Sequence, residues 1–318
     1  MTEKNKTHKG ILSWEGKKTF LLGENGEVYF ENEKIWGGYL DHWKGQSVYG
    51  RLLPQRDYED NLPIVIIWPN VPETETPFVE LYYNERLVKY WASSLGHNAI
   101  NVNGQIFNYS HLLNENEIIS AEEYFFRPAV GEFAPSPNNN AFEVLEDGRV
   151  HYDKFGRNFM RTIHVVRVEG LDTNHLSQVY CRELEVIHST KPNPKSPEKY
   201  PDFNHFTRSC STIIRDGLNE IGLKKIKGIF PLDLFVNSAH HFLKTEGLST
   251  RIYKKSQLKV AEAPPSAMTP LLNFRNRLKQ GEQSESVREV LATALSNQAG
   301  MQLALGEVRL AESAAFES

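Results

Sequence analysis

The sequence predicts an α+β protein in three parts. These are a small all-β, barrel-like domain over residues 1–72, a mixed domain over 73–262 and a helical tail over 263–318. Three observations carry this reading. Short β-runs separated by glycine turns fill residues 10–70. The middle of the chain mixes alternating, β-branched runs with stretches whose apolar residues recur at helical spacing. Beyond the break at Ala261–Pro265 the chain becomes rich in Ala, Gln and Glu.

In the first part the runs are Ile11–Trp14, Thr19–Leu22, Glu27–Phe30, Val48–Leu52 and Ile64–Trp68. Glu15-Gly16, Glu24-Asn25-Gly26 and Asp60-Asn61 supply turns between them. Short strands at this spacing suggest a barrel of SH3 or OB size. Trp14, Trp36, Trp43 and Trp68 are expected to form its core; a surface aromatic platform for a ligand such as glycan is the alternative. The stretch 70–78, with Pro72, Pro77 and several acids, marks a boundary.

In the second part a helix is expected near 84–94, and a hairpin over 96–110. Residues 127–161, dense in turn residues, are expected to form a long excursion, a lid or substrate loop. Ile163–Val168 reads as a strand and Leu176–Ile187 as a helix capped by Asp172 or Thr173. Ser211–Leu223 reads as a helix through Ile213, Ile214, Leu218 and Ile221, with Gly222 at the C-cap. Pro231–Thr245 is a further helix. In the tail, Val287, Val290, Leu291 and Leu295 fall at helical spacing.

Composition narrows the function. Net charge is −4 with Lys and Arg spread along the chain, which argues against nucleic-acid binding. The one tight basic run, Lys224-Lys225-Ile226-Lys227, reads as a solvated turn. Two cysteines, Cys181 and Cys210, cannot build a disulfide framework or an all-thiolate zinc site. His240 and His241 are adjacent on a helix, so they diverge by about 100° and do not share a metal. No cofactor motif is present. The N-terminus lacks the apolar stretch of a secretory leader, and no run reaches the roughly 20 apolar residues of a membrane helix. The expectation is a chain made in the cytoplasm without stable membrane insertion.

Two positions carry chemistry. Cys210 stands at the start of a predicted helix, where unpaired N–H groups and the helix dipole favour a thiolate and can hold an oxyanion. Ser209 and Ser211 offer capping oxygens. Cys181, mid-helix, reads as core. His97 opens the hairpin whose turn is Asn103-Gly104, the strongest short hairpin signal. Counting back from the turn puts His97, Asn101, Asn108 and Ser110 on one face, with Ile100, Val102, Phe107 and Tyr109 on the other. Asn108 or Ser110 can orient the imidazole. His205, five residues before Cys210, is a substitute base.

The Gly-His strand, Asn-Gly turn and polar second strand resemble the histidine hairpin of NlpC-like papain-fold enzymes. Histidine precedes cysteine here by about 110 residues. That order resembles the circularly permuted branch, which includes lecithin:retinol acyltransferase-like proteins and bacterial permuted amidases. The Cys210 segment matches that pattern except that Ser209 replaces the usual asparagine. The resemblance spans residues 78–245 and implies a permuted papain-like domain, Cys210 as nucleophile, His97 as base and Asn108 as third polar residue. It implies a cysteine amidase or peptidase, with peptidoglycan peptide as first substrate class and a lipid acyl group as the alternative. Joined to the missing leader, it suggests a toxin delivered by a contact-dependent machine such as type VI secretion. The secretion apparatus and an immunity protein would then be partners. A non-enzymatic adaptor built on the β-domain and tail is the competing class.

Overall fold

The computed structural model describes residues 6–56, 62–69, 76–86, 95–110, 117–127, 162–191, 193–195, 200–224, 226–255, 270–271, 303–304 and 307–308. The fold is mixed α+β with two six-stranded sheets. The chain divides into two compact units, one drawn from residues 1–73 and 122–159, the other from 74–121 and 160–317.

The first unit holds β1 (His8–Glu15), β2 (Lys18–Leu22), β3 (Val28–Tyr29), β4 (Lys34–Ile35), α1 (Gly38–Trp43), β5 (Ser47–Arg56) and β6 (Pro63–Pro69). The strand order is β3-β2-β1-β5-β6-β4, with β4 parallel to β6 and the other pairs antiparallel. The Ile64–Ile67 run is buried on both faces, as an unbroken apolar strand requires. Among the described residues no pairing joins β3 to β4, so the sheet is open by hydrogen bonding where a barrel was expected.

The tryptophans do not share a core either. Trp43 is fully buried with Tyr39 on α1, a helix that periodicity did not announce. Trp14 is 44% exposed. The Lys44 ammonium sits 3.4 Å from its ring centroid, over one face of the indole. Helix α2 (Ala121–Phe126) contributes residues 122–126 to this unit. The Tyr39 hydroxyl donates to the Phe126 carbonyl, and Arg51 reaches Glu123 at 3.1 Å.

The second unit holds β7 (Phe78–Asn84), β8 (His97–Val102), β9 (Gln105–Asn108), β10 (Glu117–Ser120), β11 (Ile163–Glu169), α3 (Thr173–Ser189), α4 (Cys210–Glu220), α5 (Pro231–Lys244) and β12 (Ser249–Lys255). Its sheet is antiparallel throughout, in the order β10-β9-β8-β7-β11-β12. Val102 pairs with Gln105 across the turn at Asn103 (φ 51°) and Gly104 (φ 87°), in the expected register. Side chains of one sheet face, among them Leu81, Ile100, Phe107 and Val166, pack against Tyr180 of α3, Ile214 and Leu218 of α4 and Phe235 of α5.

The other face carries a buried polar hub. The Glu80 carboxylate accepts from the hydroxyls of Tyr82 and Tyr253, from Arg167 at 3.2 Å and from Asn101 at 3.1 Å. Four donors offset the cost of keeping a carboxylate out of water.

The tail shows two short antiparallel strands, β13 (Leu303–Ala304) and β14 (Glu307–Val308), where helix was expected. The rest of the expected tail helices, most of the helix near 84–94, and the excursion beyond Arg127 as far as 161 lie outside the described residues. The start of that predicted helix is corrected: Asn84 is the last residue of β7.

Candidate active site

Cys210 is the first helical residue of α4, and a capping box places it there. Ser209 adopts extended backbone (φ −123°, ψ 174°) and its side chain accepts from the Thr212 N–H. The Thr212 hydroxyl accepts from the Ser209 N–H at 2.7 Å. The N–H of Cys210 is therefore among those that no helical carbonyl satisfies, at the positive end of the dipole.

His97 opens β8 directly after Gly96, which has a left-handed φ of 77°. A Cβ on Gly96 would lie 2.6 Å from the Asn84 carbonyl oxygen and 2.7 Å from the Tyr83 ring, so the turn into the histidine needs glycine. Asn108 pairs with Ala99, which sets it diagonal to His97 on the same sheet face. The His97 Nε2 lies 2.6 Å from Asn108 Oδ1. With a carbonyl oxygen as acceptor, Nε2 carries the hydrogen and Nδ1 keeps its lone pair.

The imidazole and the Cys210 thiol line the same cleft and interact there. Burial pushes that thiol up, but the charge of the neighbouring His97 and the Asn98 N–H outweigh it. The net result lies below the ordinary thiol value.

A buried strut links the two halves. Strand alternation turns Asn98 to the helix side, opposite to His97. The Ser211 hydroxyl donates to Asn98 Oδ1 at 2.9 Å, and Asn98 Nδ2 donates to the Tyr82 carbonyl at 2.8 Å. Both side chains are fully buried. The residue after the base is thus bonded to the residue after the nucleophile. A second brace runs from the Tyr109 hydroxyl to Asp202 (3.0 Å), and from Asp202 to Arg208 (2.7 Å) and on to Glu183 (2.8 Å). It holds the segment that leads into α4.

His97 and Cys210 meet in a small cleft of about 80 Å³, open at its mouth. Tyr109, Ser110, Ser209 and Ser211 line it from inside, and Leu95, His205, Ile229 and Phe230 line it toward solvent. No known family, curated protein or solved structure matches the chain. The arrangement therefore stands on its own geometry: a thiol with a lowered pKa, an oriented imidazole and orphan backbone N–H groups within one cleft, the groups required for acyl transfer.

Of the residues singled out in the sequence, the structure brings together Cys210, His97 and Asn108. Ser110 lines the pocket, while the short bond to Nε2 comes from Asn108. His205 sits at the mouth with its ring against Phe203 (5.0 Å). Cys181 is exposed, not core: α3 buries Leu176, Val179, Tyr180 and Ile187, and position 181 falls outside that stripe. Ser211 makes the cross-link to Asn98 instead of capping. His240 is buried in α5 and His241 is half-buried. Among the described residues no three His, Cys, Asp or Glu side chains are disposed to hold a metal. Sequence reasoning passed over Asn98, although its alternation with His97 already set it on the Ile100 face.

Proposed function

We propose that the protein is a cysteine-nucleophile hydrolase of the circularly permuted papain-like kind, acting on an acyl carbon through a thioester. The observation that carries this is the meeting of His97 with Cys210 in one cleft at the start of α4, with the imidazole anchored by Asn108. The histidine-first order supports the permuted arrangement. His97 Nδ1 takes the thiol proton and Sγ attacks the acyl carbon. The Cys210 N–H faces the oxyanion. The imidazolium returns its proton to the leaving amine or alcohol. A water, deprotonated by the same imidazole, then opens the thioester, releasing the acid and restoring the thiol.

Iodoacetamide labelling with peptide mapping tests the pair. Cys210 is buried and Cys181 is exposed, so accessibility alone favours Cys181. The expected outcome is faster labelling of Cys210 at neutral pH, slowed about 10-fold or more in His97→Ala. Equal slow labelling of Cys210 with and without His97, in folded protein, would overturn the activated pair. Unchanged activity in Cys210→Ala would favour the adaptor.

Two substrate classes fit this chemistry. A cell-wall peptide amide follows from the resemblance, and with it delivery to a target periplasm and an immunity partner. Expression directed to the periplasm is then toxic and cytoplasmic expression tolerated; equal harmlessness counts against it. A lipid acyl group is favoured by a specific observation, the apolar mouth of the pocket formed by Leu95, Ile229 and Phe230.

A further inference from the structure

We infer that the mouth of the Cys210 pocket is a docking surface for an anionic lipid bilayer. Its use in presenting an acyl group to Cys210 rests on the hydrolase reading; the docking itself does not.

The first ground is where the apolar surface lies. Large apolar side chains left exposed in the described part of the second unit are Leu95 (51%), Val186 (48%), Phe206 (64%), Ile229 (40%) and Phe230 (37%). All but Val186 stand at this mouth. Leu95, Ile229 and Phe230 line the pocket. Phe206 packs edge-on to Phe230, with ring centroids 6.2 Å apart. Single exposed apolar residues are ordinary, but a cluster of four around a cleft marks an interaction site.

The second ground is that Phe206 is held outward by a stiff turn. Asn204 and Arg208 exchange two backbone hydrogen bonds of 2.9 Å. Asn204 Oδ1 accepts from the N–H groups of Phe206 (2.9 Å) and Thr207 (3.2 Å). The Arg208 side chain is tied to Asp202 and Glu183. Among the described residues the ring is the most exposed of the large apolar side chains, and it sits on a loop braced at both ends. Little ordering remains to be done on binding.

The third ground is charge. Lys224 and Lys227 are exposed on the segment that ends in Ile229 and Phe230. Lys227 shares a groove with both apolar residues. The same groove holds Arg215, bonded to Asp216 and the Gly228 carbonyl, and the acid Asp233. The chain as a whole carries −4, whereas this edge adds two exposed lysines against the one acid Asp233, Arg215 being paired with Asp216. Aromatic and aliphatic tips flanked by lysines fit the headgroup layer, where the rings enter the acyl boundary and ammonium groups meet anionic lipid. A bilayer tolerates scattered tips, whereas a protein partner or second copy would require a complementary surface.

The test uses the full chain carrying Cys210→Ala, so binding is read without turnover. It is co-sedimented with vesicles of phosphatidylcholine alone or with phosphatidylglycerol added. Expected is sedimentation with the phosphatidylglycerol vesicles. Phe206→Ser weakens it about 10-fold, and Lys224→Ala with Lys227→Ala by about 30-fold and with reduced salt dependence. Circular dichroism of each variant confirms the fold, and all three positions are exposed. Failure to sediment with either vesicle, or sedimentation indifferent to Phe206, overturns the proposal. So does a Phe206-dependent dimer in sedimentation velocity without vesicle binding, which would make a second copy the occupant. None of these outcomes bears on Cys210 labelling, so the hydrolase reading stands or falls separately.

Discussion

At the scale of single residues, the behaviour of Cys210 is a contest between burial and its neighbours. A thiol this enclosed, left alone, would ionise above its ordinary value. The His97 side chain and the Asn98 N–H reverse that sign. The thiolate is therefore half-formed at a lower pH than in an ordinary cysteine, and the rate of alkylation climbs at correspondingly lower pH. Replacing His97 with Ala removes the largest favourable contribution and leaves burial in place, so the inflection moves upward. A pH–rate profile of the labelling described above, read on both proteins, checks the direction. An inflection that does not move would mean that the helix terminus, and not the imidazole, sets the thiol. Asn108 acts through orientation, since its carbonyl oxygen at 2.6 Å selects the tautomer that leaves Nδ1 basic.

At the scale of elements, the site is a junction between the first residues of β8 and of α4. The strand contributes His97 and Asn98 in succession, one to each face, and the helix contributes Cys210 and Ser211. The Ser211–Asn98 bond joins the two elements across 113 positions of sequence. Ser211→Ala leaves the buried Asn98 oxygen without that donor and is expected to cost about 1–3 kcal/mol in urea unfolding. Because the bond also sets how closely α4 approaches β8, the variant labels Cys210 more slowly while remaining folded. A stability loss with unchanged labelling would show that the strut supports the fold without positioning the thiol. The capping box at Ser209 and Thr212 acts beside it, fixing where the helix begins.

At the scale of the whole molecule, the sheet of the second unit has two different faces. One buries aliphatic and aromatic side chains under α3, α4 and α5. The other centres on Glu80, whose carboxylate is shared by Arg167, Tyr82, Tyr253 and Asn101 from four strands. Arg167→Ala removes the cation from this hub and is expected to destabilise the protein by about 3–5 kcal/mol, measured by urea unfolding. Below the transition the labelling rate of Cys210 should be unchanged, because the hub holds the sheet and takes no part in the pair.

Local chemistry was legible in the sequence wherever it depends on near neighbours. The hairpin register through Asn103-Gly104, the start of α4 beside Cys210, and the extents of α3 and α5 within a few residues follow from turn preference, capping and periodicity. The pairing of His97 with a polar residue on the second strand follows from counting along that register. The sequence alone thus determined an α+β chain and its candidate pair. Only the tertiary structure decided which sides are covered and which distant groups meet. The open pairing of the first sheet, the exposure of Trp14 and Cys181, the Glu80 hub and the Asn98–Ser211 strut all depend on burial against elements far away in the chain. Alternation and helical spacing say which residues share a face, but not what is packed upon it, since that depends on long-range packing that no local pattern encodes.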